Sequence, residues 1–305
     1  MPVLAFANLK GGVAKTSNAV AVAETLARRG YKVLVIDADH QCTSSEVLLG
    51  EPLMLLADKL GHTLHDLLRS MIYSDFDPES VRSFVLKAEC AAAEVRPRLF
   101  VMPCSVRIDE FHSNTTAARK ALPEGEFSRI WKRRRAQLRR WVRESFDYTI
   151  IDCPPSLSNH VQFLLRISDG IIVPSIPDRL SVRGAAHFER RVAEKKIAAP
   201  VLGTLWTLYR AQVERHHSMV SMPRQPSRRD IARPFDTVIP NAAALAAASD
   251  SERVFGTLKQ KYTAEFAGRY EELCDEILSR LESDGPGPIK RHLRELVPVR
   301  LKTRS

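Results

Sequence analysis

Short apolar runs rich in β-branched residues alternate along the chain with longer segments that are apolar on one face only. Runs that are apolar throughout are typical of parallel strands in a sheet that helices cover on both faces. The predicted strands are Val3 to Asn8, Lys32 to Asp37, Leu99 to Met102, Tyr148 to Asp152, Gly170 to Pro174, Val201 to Thr207 and Phe235 to Ile239. The pattern therefore predicts an α/β fold with a doubly wound, mostly parallel sheet and helices on both faces.

The domain boundary is predicted where this alternation stops. Between the first two strands, apolar residues recur at helical spacing, and Gly30 stands where a helix end favours glycine. The alanine-rich stretch Ala242 to Ala248 predicts the start of a later helix. From Ser283 the sequence becomes loop-like and then strongly basic. We therefore expect one folded domain over residues 1–282 and a basic, flexible tail over residues 283–305.

Composition excludes several classes of protein. With 44% hydrophobic and 27% charged residues the chain has the composition of a globular protein, not of a disordered one. No apolar run approaches the roughly 18 residues of a spanning helix, and Asn8 and Lys10 interrupt the first run too early for a signal peptide. The five cysteines are widely spaced and predict reduced thiols. We expect a cytoplasmic protein whose net charge of +10 favours polyanionic partners.

A candidate phosphate-binding loop follows the first predicted strand and precedes a helix. It consists of Lys10, Gly11, Gly12, Val13, Ala14, Lys15, Thr16 and Ser17. Backbone N–H groups and the helix N-terminus would bind phosphate, Lys15 would reach the β- and γ-phosphates, and the Thr16 hydroxyl would bind Mg²⁺. Because Ala14 replaces a glycine of the common pattern, we expect it to avoid positive φ, which would cost roughly 1–2 kcal/mol.

Carboxylates stand at or just past the ends of two predicted strands. Asp152 ends a buried strand, where it could hold Mg²⁺ near the phosphates. Asp39 lies just past the end of another strand, where it could orient a water molecule for in-line attack on the γ-phosphate. For Asp37 two roles stay open, support of the metal shell or a cap on the turn.

Three segments in order resemble the ParA/MinD family of ATPases, closest to the ParA/Soj-type partition proteins. They are the KGGVAKT loop from Lys10, the segment Val35 to Gln41 and the segment Phe146 to Ser156. The last of these resembles the family's Walker B strand and the Pro-Pro pair that follows it. Later landmarks match at Ile172 to Pro174 with Gly184 and at Asp236 to Pro240, so the likeness spans Val3 to Leu281. The resemblance implies a P-loop fold, binding of ATP or ADP with Mg²⁺, and Mg²⁺-dependent ATP hydrolysis in which Lys10, Lys15 and Asp39 are catalytic.

The resemblance also implies how the protein would work. In the family the lysine corresponding to Lys10 crosses a two-fold interface to the partner's nucleotide, so that ATP holds a homodimer together and hydrolysis releases it. The adenine would lie near Pro240 and Asn241. The resulting hypothesis is a nucleoid-associated ATPase that binds DNA non-specifically as the ATP dimer and positions a plasmid, a chromosome region or another cargo, with a ParB-like adaptor stimulating hydrolysis.

Two arginine-rich segments are candidate DNA contacts. Ser128 to Arg143 predicts a helix with an apolar face and arginines facing water, and a second cluster lies near Arg228. The residues proposed to contact DNA are Arg133, Arg134, Arg139, Arg228 and Arg229. A merely solvated helix face is the alternative. Many partition relatives have arginines just after the Ile-Pro landmark, whereas this chain has Asn241 to Leu245 there.

Two other functions are compatible with parts of the pattern. A MinD-like membrane-surface switch would need an amphipathic C-terminal helix, which Pro298 interrupts, so we expect no membrane partner. An iron–sulfur ATPase would need paired cysteines near the dimer axis, and neither Cys104 nor Cys153 is an obvious ligand.

Overall fold

A computed structural model describes residues 1–73, 76–221, 231–248, 250 and 252–284. Within these ranges, eight strands form one sheet in the order β3-β4-β2-β5-β1-β6-β7-β8, in which only the β3–β4 pair is antiparallel. The strands are β1 (Val3–Phe6), β2 (Val33–Asp37), β3 (Leu86–Lys87), β4 (Leu99–Met102), β5 (Tyr148–Asp152), β6 (Gly170–Ser175), β7 (Val201–Tyr209) and β8 (Val238–Pro240). The predicted fold class is therefore confirmed.

Helices connect the strands and cover both faces of the sheet. They are α1 (Lys15–Arg28), α2 (Thr43–Leu49), α3 (Glu51–Lys59), α4 (Leu64–Tyr73), α5 (Phe111–Ala121), α6 (Glu126–Ser145), α7 (Asn159–Leu165), α8 (Arg179–Glu194), α9 (Glu214–Ser221), α10 (Ala243–Ala247) and α11 (Leu258–Asp284). Two 3-10 helices span Pro78–Phe84 and Val106–Glu110, and α11 is interrupted at Thr263. None of the helices within the described ranges is long and apolar enough to cross a bilayer.

The hydrophobic core lies in two layers, one on each face of the sheet. Leu4 and Phe6 of β1 join the layer that contains α1 and α11, whereas Val3 and Ala5 join the layer that contains α4, α6 and α7. Because successive side chains of a strand point to opposite faces, a strand covered on both sides must be apolar throughout. This requirement explains the continuous apolar runs in the sequence.

A buried ion pair fixes the C-terminal helix to the helix of the phosphate loop. Lys261 Nζ of α11 donates to Glu24 Oε1 of α1 at 2.9 Å, and the Tyr262 hydroxyl donates to Glu24 Oε2 at 2.6 Å. Glu24 and Lys261 are both buried. The α1–α11 contact therefore depends on charge pairing as well as on apolar packing.

The end of α11 bears on the predicted domain boundary. The helix reaches Asp284, so its last two residues lie in the segment predicted as the tail. Residues 285–305, and with them the rest of the predicted tail, lie outside the described residues.

Candidate nucleotide site

The loop between β1 and α1 has the backbone of a phosphate-binding loop. Gly11 and Gly12 are exposed, and Gly12 has a φ of +68°. Ala14 adopts a φ of 57° and a ψ of 36°, so the expectation that it avoids positive φ is wrong. The Ala14 carbonyl accepts two hydrogen bonds from Asn18, one from its backbone N–H at 3.1 Å and one from its Nδ2 at 2.6 Å.

Neighbouring strands hold this loop at the edge of the sheet where the parallel strands end, here called the carboxyl edge. Asn8 Nδ2 donates to the Pro174 carbonyl of β6 at 2.7 Å, and the Lys10 N–H donates to Asn8 Oδ1 at 3.1 Å. Thr207 Oγ1 of β7 donates to the Val13 carbonyl at 3.0 Å. The loop is thus held at both ends, and the exposed Gly11 and Gly12 lie between them at the edge where doubly wound folds bind ligands.

Lys15, Thr16 and Ser17 form the first turn of α1. Lys15 is buried, and its Nζ donates to the Lys10 carbonyl at 3.1 Å. Burial lowers the pKa of Lys15, although the carboxylates of Asp152 and Asp39 favour its charged form. Thr16 and Ser17 are half-buried at the helix N-terminus. A cation and a helix N-terminus pointing into one loop are well suited to a phosphate chain.

Asp152 fits the role of a Mg²⁺ ligand. It is fully buried at the end of β5, in register with Phe6 of β1 and Asp37 of β2. Within the described part of the chain, no donor meets hydrogen-bond geometry at either carboxylate oxygen, although the Thr16 hydroxyl is near enough to favour the charged form of Asp152. Burial and the neighbouring Asp37 raise the pKa of Asp152 to about 8, against the opposing effects of Thr16 and Lys15. A buried carboxyl group beside a threonine hydroxyl matches the donors Mg²⁺ uses when phosphates complete its shell.

Asp37 and Asp39 occupy different positions on the β2–α2 loop. Asp37 accepts hydrogen bonds from the Asp39 N–H at 3.0 Å, the Ser45 N–H at 2.9 Å and the Ser45 hydroxyl at 2.6 Å. These contacts favour the turn-capping role for Asp37, whose pKa burial raises to about 6. The Asp39 side chain is 13% exposed, accepts from the Gln41 N–H at 3.0 Å and lies 3.7 Å from His40 Nδ1, so these contacts are within the loop and do not include the α2 serine that fixes Asp37.

His160 is a neighbour of this loop that motif analysis missed. Its Nε2 lies 3.2 Å from the carbonyl oxygen of Ala38, the residue before Asp39. The ring is buried, and burial lowers the pKa of His160 to about 4. A neutral imidazole can donate this hydrogen bond at neutral pH. His160 thus links the segment after β5 to the loop that carries Asp39.

Lys10 lies at the outer side of the phosphate loop. Its Nζ donates to Ser181 Oγ at 2.6 Å and is 3.6 Å from Asp178 Oδ2. Asp178 is the N-cap of α8, where it accepts from the Ser181 N–H at 2.7 Å. The Lys10 side chain is 33% exposed. It contacts its own chain through one hydrogen bond and a long ion pair at the rim of the site.

Pro240 and Asn241 also lie at the carboxyl edge. Pro240 ends β8, and the Asn241 N–H donates to the Tyr209 carbonyl at 2.8 Å. With its amide oxygen turned toward Arg210, Asn241 accepts from Nη2 and Nε at 2.9 and 2.8 Å. The structure thus places both residues at the edge that also carries the phosphate loop.

The arginines of α6 differ from the expectation that all of them face water. Arg133 is exposed, but Arg134 donates to the Met71 carbonyl and Arg139 pairs with the buried Asp169 at 2.5 Å. Arg228 and Arg229 lie outside the described residues. The exposed basic residues of α6, here called the α6 basic stripe, are Arg129, Lys132, Arg133 and Arg140.

A strand–loop–helix phosphate loop beside a buried acid, at the carboxyl edge of a doubly wound sheet, defines a P-loop nucleoside triphosphatase. The described residues contain no cluster of three or more histidine, cysteine or acidic side chains arranged to hold a metal ion.

Comparison with known proteins identifies the family. A family model described as an AAA domain matches residues 1–199. The chromosome partitioning protein ParA of Caulobacter vibrioides is 26% identical over 288 residues, which cover 91% of this chain and 94% of that protein. The chain therefore belongs to the AAA-domain family and is a P-loop ATPase of the ParA/MinD type, as the sequence motifs predict.

Two solved structures have the same fold. Apo McdA from Cyanothece has a TM-score of 0.68 at 19% identity and covers 91% of this chain and 99% of its own. A cobyrinic acid a,c-diamide synthase from Mycobacterium smegmatis, solved with ADP and magnesium, has a TM-score of 0.63 at 25% identity. It covers 92% of this chain and 96% of its own.

Proposed function

We propose that this chain is a Mg²⁺-dependent ATPase that forms a homodimer around ATP, binds DNA non-specifically as that dimer, and segregates or positions a plasmid, a chromosome region or another cargo. A ParB-like adaptor stimulates hydrolysis and so releases the dimer from DNA. The observation that carries the proposal is the position of Lys10, a partly exposed cation at the rim of the phosphate loop and next to α8.

The nucleotide chemistry follows from the residues around the loop. The N–H groups of Gly11 to Ser17 and the N-terminus of α1 bind the phosphates, and Lys15 turns from the Lys10 carbonyl to the β- and γ-phosphates. Thr16 and Asp152 hold Mg²⁺, which when bound neutralises charge on the phosphate oxygens. Asp39 orients the attacking water, since its carboxylate projects from a loop fixed by Asp37 and His160.

The proposed dimerisation follows from the contacts of the Lys10 side chain. Lys10 and Asp178 are partly exposed, and the buried Ser181 hydroxyl keeps its hydrogen bond to Asp178 Oδ2 when Lys10 leaves, so exchanging these contacts for the phosphates of a facing subunit costs little. A cation added to phosphates already bound in cis stabilises the dimer as long as the γ-phosphate is present. Hydrolysis removes that phosphate, and the two copies separate.

DNA binding rests on the α6 basic stripe. Arg140 pairs with Glu144 at 2.8 Å, which leaves Arg129, Lys132 and Arg133 as the stronger candidates. A dimer then offers about six phosphate contacts, and its DNA affinity would fall roughly a thousandfold between 50 and 200 mM salt. Arg134 and Arg139 support the helix through their contacts to Met71 and Asp169.

The test is DNA co-sedimentation of the Asp39→Ala variant with ATP or ADP over a salt series. We expect retention on DNA with ATP only, with the steep salt dependence given above. The variant Lys132→Gln/Arg133→Gln should lower this retention and flatten the salt slope. Lys259→Gln/Arg253→Gln removes the same charge from exposed positions at and before α11 and serves as the control. Retention that is independent of nucleotide, or equal in both double variants, would contradict the proposal.

A further inference from the structure

Three large apolar side chains are exposed at the carboxyl edge, around the phosphate loop. Leu60 is 59% exposed, Val106 is 67% exposed and Leu180 is 71% exposed. Single exposed apolar residues are common on protein surfaces, so their number alone decides nothing. Their common location on the edge that carries the nucleotide site is the informative feature. We call these three residues the apolar edge patch.

Leu60 and Val106 lie on the side of β4. Leu60 directly follows α3, and four residues later the Leu64 N–H donates to the carbonyl of Pro103, the residue after the end of β4. Val106 follows Pro103 by three residues, and its neighbour Arg107 pairs with Asp58 of α3 at 2.9 Å. These contacts bring the end of α3 and the segment after β4 together at the carboxyl edge.

Leu180 lies on the other side of the phosphate loop, after β6. It stands in the first turn of α8, between Asp178 and Ser181, the two residues that contact Lys10 Nζ. Apart from the contact with Lys10, the side-chain hydrogen bonds that the structure describes in this turn join Asp178 and Ser181. The Leu180 side chain between them is exposed to solvent. The most exposed leucine of the described chain is therefore next to the lysine at the rim of the site.

The spread of the patch matches the size of a protein–protein interface. In the strand order β4-β2-β5-β1-β6, four strand spacings separate β4 from β6, or about 19 Å at roughly 4.8 Å per spacing. A standard interface buries about 800 Å² per partner, which is a round patch about 32 Å across. An interface centred on the phosphate loop, which follows β1, would therefore include Leu60, Val106 and Leu180.

We propose that the apolar edge patch packs against a second copy of this chain and supplies the apolar part of the ATP-dependent dimer contact. The inference rests on the proposed function, which supplies the dimer but says nothing about these side chains. A two-fold interface must complement itself, and apolar surface does so whereas a patch of one charge repels its own copy. Leu180 lies between the two residues that contact Lys10, so a second copy packed on this part of the patch lies next to the lysine at the rim of the site.

The test compares two neutral variants in the full-length chain. Leu60→Gln/Leu180→Gln alters the patch without changing charge. Val254→Gln is the control, because Val254 is 80% exposed but precedes Phe255, whose carbonyl accepts from Ala93 in the segment leading into β4, at the opposite edge of the sheet. Sedimentation velocity with AMPPNP and Mg²⁺ gives the dimer dissociation constant of each variant. Thermal unfolding and titration with a fluorescent ADP analogue show that fold and nucleotide binding are intact.

We expect the double variant to bind the ADP analogue like the parent but to dimerise at least about tenfold more weakly, because both changes occur in both copies. The control should dimerise like the parent. A parent that dimerises and a double variant that dimerises equally well would overturn this inference alone and leave the patch to a different protein. A parent that stays monomeric would overturn the proposed dimer and the patch assignment together.

Discussion

The buried pair of Glu24 and Lys261 provides a quantitative test of how the C-terminal helix is held. Among the residues that the structure describes, Lys261→Met leaves the buried Glu24 carboxylate with only the Tyr262 hydroxyl and the Ala92 N–H, 3.4 Å away, as donors. Removing one partner of a buried ion pair costs about 3–5 kcal/mol, because the other charge stays desolvated. Glu24→Gln should be similarly destabilising, since it leaves the Lys261 ammonium without a counter-charge.

The double variant Glu24→Gln/Lys261→Met removes both charges and keeps an acceptor for the Tyr262 hydroxyl. We therefore expect it to be more stable than either single variant, with a coupling energy of about 2–3 kcal/mol. Urea unfolding followed by tryptophan fluorescence measures the four free energies of unfolding. The exposed pair Arg269 and Glu272 is the control, and its coupling should stay below about 0.5 kcal/mol. A double variant whose loss equals the sum of the two single losses would refute the reasoning.

Three further predictions concern the nucleotide site. Ala14→Gly should leave the free energy of unfolding unchanged or raise it by up to about 1 kcal/mol. Glycine adopts the positive φ freely, which stabilises the folded chain, but it is also more flexible in the unfolded chain, which offsets part of that gain. A clear loss of stability in urea unfolding would contradict the left-handed conformation of Ala14. Lys15→Ala should abolish binding of a fluorescent ATP analogue, whereas Lys10→Ala should retain it; equal binding by all three proteins would exclude the phosphate role of Lys15. In the folded protein the pKa of His160 is lowered to about 4, so between pH 6.5 and 4 the unfolded chain binds the extra proton and stability falls as pH falls. His160→Gln should remove up to roughly 2.4 kcal/mol of that acid-induced loss in urea unfolding at pH 7 and pH 4.5, and an unchanged loss would contradict the neutral buried ring.

The core strands of the sheet could be predicted from sequence because they are buried on both faces. The strand β3 could not, since its two residues are too few to show a period, and it forms only by pairing with β4. The strand β8 differs from its predicted start for a different reason. The sequence predicts a strand from Phe235, and the Phe235 N–H does donate to the Thr204 carbonyl of β7. The N–H groups of Asp236 and Thr237 instead donate to the Glu276 carboxylate of α11, so the strand begins only at Val238.

The phosphate loop and the acid at the end of β5 could also be predicted, because spacing within a short segment determines where Lys15 and Thr16 lie. Contacts between distant segments could not. The amphipathic pattern of α6 does not reveal that Arg139 reaches Asp169, which lies 30 residues further along the chain. Nor does any motif reveal the contact of His160 with the Ala38 carbonyl. Such pairs depend on how α6 and α7 pack, and periodicity in one sequence does not specify packing.

The central claim is that a triphosphate shared between two copies holds the dimer together. Sedimentation velocity of the parent chain and the Lys10→Ala variant, each with AMPPNP and Mg²⁺ or with ADP, tests this claim most directly. The account predicts a dimer only for the parent with AMPPNP, and monomers of 34.3 kDa in the other three samples. A parent whose mass does not change between ADP and saturating AMPPNP, or a Lys10→Ala variant that dimerises fully, would contradict it.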